Sequence, residues 1–181
     1  MQSRSRIGRR GFRAATALLA TALTVATIPQ SDAAEFRRDG PDQLSVGAGA
    51  FNIFPDNHDD RSAAFQLEYR FGDKFWGIFG PAIGGMVNTD GAVNPYAGVY
   101  TDFAMGPIIV SPFAGAGYYA DGHSKDLGGP FQFRLALDVA YEFDSQSRLG
   151  LRLSHLSNAY IYDHNPGEEE LMLVYSFAIG E

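Results

Sequence analysis

The stretch RLSHLSNAYIYDHNPGEEE, residues 152–170, places two histidines, two serines and three consecutive glutamates close together near the C-terminus. A serine hydroxyl is a poor nucleophile until a base takes its proton, and a histidine does that near neutral pH. His155 precedes Ser157 by two residues. A carboxylate on the second imidazole nitrogen would fix the tautomer and stabilise the imidazolium, and three glutamates are at hand for that role. Asn158 follows the serine with an amide that could donate to an oxyanion. A metal site built from His155, Asp163, His164 and a glutamate is the rival, but the spacing matches no known ligand motif, so no metal is expected. Whether these residues form a site or only a polar loop depends on the elements that carry them.

The first 33 residues read as a secretory signal peptide. Arg4, Arg6, Arg9, Arg10 and Arg13 form a positive head, the uncharged run Ala14–Ile28 follows, and small residues permit cleavage after Ala33 or Ala34. Five of the fourteen basic residues lie in this leader against one acid, Asp32, so the rest of the chain carries nine positive and twenty negative charges. Such an acidic balance argues against nucleic acid as a partner. The chain has no cysteine, so neither disulfides nor thiolate metal sites hold it together.

Residues 34–181 are long enough for one domain, and their pattern is that of strands. In FQFRLALDVAYEF, Phe131–Phe143, the odd positions are all apolar and the even ones are Gln, Arg, Ala, Asp, Ala and Glu. Period-two alternation of this length exceeds the usual soluble strand of about 5–6 residues. Its apolar face is aromatic at both ends and aliphatic between, as expected where a strand crosses lipid between two interfacial girdles. Ala64–Phe71, Arg148–Ser157 and Leu171–Ile179 repeat the pattern, and Leu44–Phe54, Gly77–Asn88, Asn94–Met105 and Ile108–Tyr119 are glycine-rich versions of it. The expected fold is all-β: an eight-stranded antiparallel transmembrane β-barrel of the outer membrane, with the polar cluster on strands seven and eight. A soluble β-sandwich would explain the alternation but not the aromatic-capped faces. Pro81, Pro95 and Pro112 fit poorly, because a closed barrel has no edge strand to accept them. They are expected at strand ends, bulges or rims.

Parity then places the cluster. Leu149, Leu151 and Leu153 share the lipid face with His155 and Ser157, while Arg148, Arg152 and Ser154 face inward. On the last strand Leu171, Leu173, Tyr175 and Phe177 face lipid, which selects Glu169 and turns Glu168 and Glu170 inward or into solvent. Pairing Leu153 with Leu171 brings His155 opposite Glu169. Serine, histidine and glutamate then share one lipid-facing patch.

The run SHLSNA followed by NPGEE resembles the signature of the PagL-type lipid A 3-O-deacylases, outer-membrane acyloxyacyl hydrolases of Gram-negative bacteria. His155, Ser157, Asn158 and Ala159 match its first part, Asn165 and Gly167 its turn, and Glu169 its acid. The resemblance implies that Ser157 is the nucleophile, His155 the base, Glu169 the orienting acid and Asn158 an oxyanion-hole donor. It also implies hydrolysis of the 3-position ester of lipid A, with lipopolysaccharide and outer-membrane lipids as partners, and no cofactor. Tyr160 stands where some members have glycine, and His164 and Glu168 read as solvated loop residues. Two alternatives stay open: a non-catalytic small barrel that is structural or binds a ligand, and an outer-membrane phospholipase with the same triad.

Overall fold

The computed structural model describes residues 34–54 and 61–180. The proposed leader and most of the first outer loop lie outside the described residues. Among the described residues there are ten strands: β1 (Glu35–Arg37), β2 (Asp42–Phe51), β3 (Ser62–Arg70), β4 (Gly80–Asn88), β5 (Val93–Tyr100), β6 (Asp102–Met105), β7 (Ile108–Tyr118), β8 (Phe131–Glu142), β9 (Arg148–Ser157) and β10 (Glu168–Ile179). All pairings are antiparallel. They run from β2 through β3, β4, β5, β7, β8 and β9 to β10, which pairs back with β2 and closes the ring. With β5 and β6 together forming the fourth span, this is an eight-stranded barrel.

Alternation does what parity requires. Leu67, Leu135, Leu151 and Leu173 are each more than half exposed on the outside, whereas Glu68, Arg134, Arg152 and Met172 are at most 2% exposed inside. An apolar outer band of this extent has no counterpart on a soluble monomer and matches a lipid-facing wall. Aromatic pairs such as Phe131–Phe133 and Tyr141–Phe143 sit near opposite ends of β8.

The lumen is filled. Arg152 donates to Glu68 at 2.7 Å and to Asp138 at 2.6 Å, Arg70 pairs with both acids, and Tyr96 donates its hydroxyl to Glu68 at 2.8 Å. One level nearer the loops, Arg134 forms a two-pronged bond with Glu170 and also holds Asn94. Phe51, Met86, Leu127, Leu156 and Met172 close the loop end of the lumen with apolar side chains. The glycines of the weaker strands make room for lumenal rings: a Cβ on Gly84 would sit 2.7 Å from the Tyr96 ring.

Pro81, Pro95 and Pro112 lie within β4, β5 and β7, and two of the three have a local answer. Phe71 N–H donates to the Pro81 carbonyl, and the return bond that Pro81 cannot make is replaced by the Tyr100 hydroxyl, which donates to the Phe71 carbonyl at 2.8 Å. Extending the β5–β7 register puts Pro95 opposite Tyr118, whose carbonyl instead accepts from Asn94 Nδ2 at 2.8 Å. Pro112 faces Thr101: Thr101 N–H reaches the Pro112 carbonyl at 3.2 Å, but nothing returns. That missing donor interrupts the fourth span, expected as one strand over Asn94–Met105, into β5 and β6. Beyond the break β4 has ended, and β1 takes over its edge by pairing with β6. Lys74 holds the junction, donating to the Arg37 carbonyl at 2.8 Å and to Asp102 at 3.1 Å.

The Arg152 network gives a test. Arg152→Ala leaves Glu68 and Asp138 short of a partner in a closed interior, at a cost of about 3–5 kcal/mol. A lowered urea midpoint of the heat-modifiable gel mobility of the folded barrel is the expected result.

Candidate active site

β9 and β10 form the last hairpin of the ring. Their register pairs Leu153 with Leu171 and His155 with Glu169, the arrangement that parity alone selects. His155 Nδ1 lies 3.1 Å from Glu169 Oε1. The two side chains remain 43% and 34% exposed on the outer wall, so the pair is reachable from the lipid side. Because Nδ1 is engaged by the carboxylate, Nε2 is the nitrogen left to take a proton. Ser157 ends β9, half-buried on the same face. Its hydroxyl makes no hydrogen bond to His155 in this structure.

Below the imidazole runs an outward-facing groove of about 390 Å³ lined by Leu135, Leu137 and Leu153, with His155 and Glu169 at its head. The pair therefore stands where an apolar trough on the barrel wall meets the loop end. Gly167 makes this placement possible. It holds φ +63°, and a Cβ there would come 3.1 Å from His155 Cε1. The glycine both turns the chain into β10 and leaves space for the ring.

Asn158 departs from the expected role. It is fully buried, and its Nδ2 donates to the Leu127 carbonyl at 2.8 Å and to the His164 carbonyl at 2.7 Å. Its Oδ1 accepts from Tyr160 N–H at 2.9 Å. Both side-chain hydrogens are thus committed to the protein, and the carboxamide fastens loops instead of facing a substrate. Asn158 N–H donates to Asn165 Oδ1 at 2.9 Å, which sets the Asn165 carboxamide beside the Ser157–Asn158 peptide. Asn165 Nδ2 has no acceptor among the described residues. The motif's turn residue is thus the one with an uncommitted donor, a distinction invisible in sequence, where both are asparagines flanking one loop. Tyr160 adopts φ +61°, the left-handed conformation that a glycine takes at no steric cost.

Glu168 is a correction. Read from sequence as a solvated loop residue, it is the first residue of β10 and fully buried in the lumen, where its Oε2 accepts from Asn52 N–H at 3.2 Å. β10 begins earlier than the apolar run Leu171–Ile179 indicated, because lumenal glutamates extend the alternation. Glu170 is likewise inside, on Arg134. His164 and Asp163 are exposed, and among the described residues no cluster of three metal-ligating side chains occurs.

Gly167→Ala should keep the barrel but displace the imidazole, since the substituent combines a left-handed backbone strain of about 1–2 kcal/mol with contact on His155. Side-chain NMR of the histidines in micelles would show the His155 resonances move while those of exposed His164 stay.

Comparison with known proteins agrees with the fold and the motif. The model of the lipid A 3-O-deacylase (PagL) family matches residues 57–178. The lipid A deacylase PagL of Bordetella bronchiseptica is 38% identical over 78 residues, an alignment covering 43% of this chain and 40% of that protein. The crystal structure of the outer membrane enzyme PagL superposes with a TM-score of 0.56 at 19% identity, covering 76% of this chain and 99% of that one. A de novo designed transmembrane β-barrel reaches a TM-score of 0.55 at 10% identity, over 80% of this chain and all of the design. The family match spans well over half of the sequence and includes every residue of the patch on β9 and β10: the chain is an outer-membrane β-barrel that belongs to the lipid A 3-O-deacylase (PagL) family.

Proposed function

We propose that the protein hydrolyses the ester-linked 3-hydroxyacyl chain at the 3-position of lipid A through Ser157, His155 and Glu169. The observation that carries the reading is the His155–Glu169 contact of 3.1 Å on the outer wall, at the head of an apolar groove and two residues from a serine. Polar side chains facing lipid are costly, and a passive barrel has no use for them there.

The acyl chain lies in the groove along Leu135, Leu137 and Leu153, which puts its ester at the level of His155. In the reacting complex the Ser157 hydroxyl donates to Nε2. Ser157 Oγ attacks the ester carbonyl as Nε2 takes its proton, and Glu169 stabilises the imidazolium through Nδ1. The oxyanion accepts from Asn165 Nδ2, the uncommitted amide beside the serine. Collapse breaks the bond to the sugar oxygen, which leaves with the proton from Nε2. Water, deprotonated by the same nitrogen, then cleaves the acyl-enzyme and releases a 3-hydroxy fatty acid.

Lipid A extracted from outer membranes that contain the wild-type protein should lack one 3-hydroxyacyl chain by mass spectrometry, and lipid A from cells with equal amounts of Ser157→Ala should keep it. Intact lipid A with both would overturn the reading; release of fatty acid from phospholipid instead would favour the phospholipase alternative. Glu169→Gln keeps the shape but loses the charge that holds the imidazolium, so kcat should fall by roughly 10³–10⁴-fold.

A further inference from the structure

The third outer loop, residues 119–130, does more than join β7 to β8. Leu127 is 1% exposed and plugs the loop end of the lumen among Phe51, Leu156 and Met172. From this anchor the chain runs against the fourth loop. The Leu127 carbonyl takes one hydrogen of Asn158, whose other hydrogen goes to His164 across the fourth loop itself. Gly128, at φ +83°, passes so close that a Cβ would lie 1.9 Å from the His164 carbonyl oxygen and 3.0 Å from Asn158 Nδ2. Gly129 leaves the space that the Tyr162 ring occupies, and the Tyr162 hydroxyl accepts from Phe131 N–H at 3.2 Å. The contacts of the Leu127 carbonyl, Gly128 and Gly129 thus all reach the segment that begins one residue after Ser157.

We propose that Leu127–Gly129 is a positioning element for the nucleophile: through Asn158 and His164 it fixes the path of the chain leaving Ser157, and so the approach of the serine hydroxyl to His155. The inference rests on the triad reading and goes beyond it, because nothing in β7, β8 or their loop belongs to the triad. A strand end is normally free to fray. Ser157 is the last residue of β9, and its orientation is held from outside the hairpin by a loop docked into the lumen. Misplacement of a reacting group by about 1 Å costs on the order of a hundredfold in rate.

The same loop supplies a control. Gly122, at φ +59°, packs on the second outer loop, where a Cβ would lie 2.5 Å from the Gly91 carbonyl oxygen. Gly122→Ala therefore also introduces a clash in the same loop, a milder one, but away from Ser157. The experiment measures labelling of the full chain, purified in detergent, by a fluorophosphonate probe that reacts with activated serines, alongside kcat and KM on lipid A. Heat-modifiable gel mobility confirms that each barrel is folded.

Gly128→Ala should slow labelling and lower kcat by roughly tenfold or more with KM little changed, and Gly122→Ala should stay within about twofold of wild type. Tyr162→Ala, which removes the ring from Gly129 without backbone strain, should fall between them, and it carries the test if Gly128→Ala does not fold. Equal losses in Gly122→Ala and Gly128→Ala would overturn the proposal, as would wild-type labelling in both Gly128→Ala and Tyr162→Ala. Ser157→Ala separates the two readings: if it is still labelled and active, the triad reading falls and this one with it. If Ser157→Ala is silent while the loop variants behave as wild type, only the positioning role is lost.

Discussion

Hydrocarbon offers no partner to a backbone N–H or C=O, so the spanning segments must satisfy one another all the way around the ring. Most of the structure follows from that closure. It fixes a strict two-residue alternation, because a slip of one position would turn a whole strand inside out. It also explains why two of the three prolines have substitutes: the Tyr100 hydroxyl and the Asn94 carboxamide stand in for the absent donors. At Pro112 no substitute is present, and there the fourth span breaks. The same closure turns the last hairpin into a rigid frame whose register puts an imidazole opposite a carboxylate.

Alternation also sorts the charges. The inward positions of β3, β8, β9 and β10 carry both signs, and their pairing fills a space that would otherwise demand water. Three neighbouring residues at the start of β10 show how sharp the sorting is. Glu168 and Glu170 are fully enclosed, while Glu169 between them looks out at His155. One side-chain type serves two environments because the pleat reverses at each step.

Much of this was readable in the sequence. Thirteen alternating residues with aromatic ends in Phe131–Phe143 define a membrane strand without help, and parity on β9 and β10 leads to Glu169 independently of the SHLSNA motif. What was hidden depended on contacts between distant segments. Three residues, Glu35–Arg37, carry no periodicity, so β1 exists only because β6 offers an unpaired edge. The start of β10 was obscured because lumenal glutamates are as polar as loop residues, which made Glu168 look solvated. The partners of Asn158 are hidden for a similar reason. An asparagine after a serine reads as an oxyanion donor, but one of its hydrogens goes to the His164 carbonyl and the other to the Leu127 carbonyl 31 residues away, and only the docking of two loops reveals the second.

The packed lumen has a consequence for how substrate is met. With arginines, glutamates and a plug of apolar side chains occupying the interior, no route leads through the barrel to His155 among the described residues. Anything that reaches the patch must come sideways, by diffusion within the plane of the leaflet. Encounter is then two-dimensional, and its driving variable is the mole fraction of lipid in the surface, not a bulk molarity. Diluting the protein and its lipid into more detergent should slow the reaction even when neither amount changes, because the surface grows while the molecules on it do not.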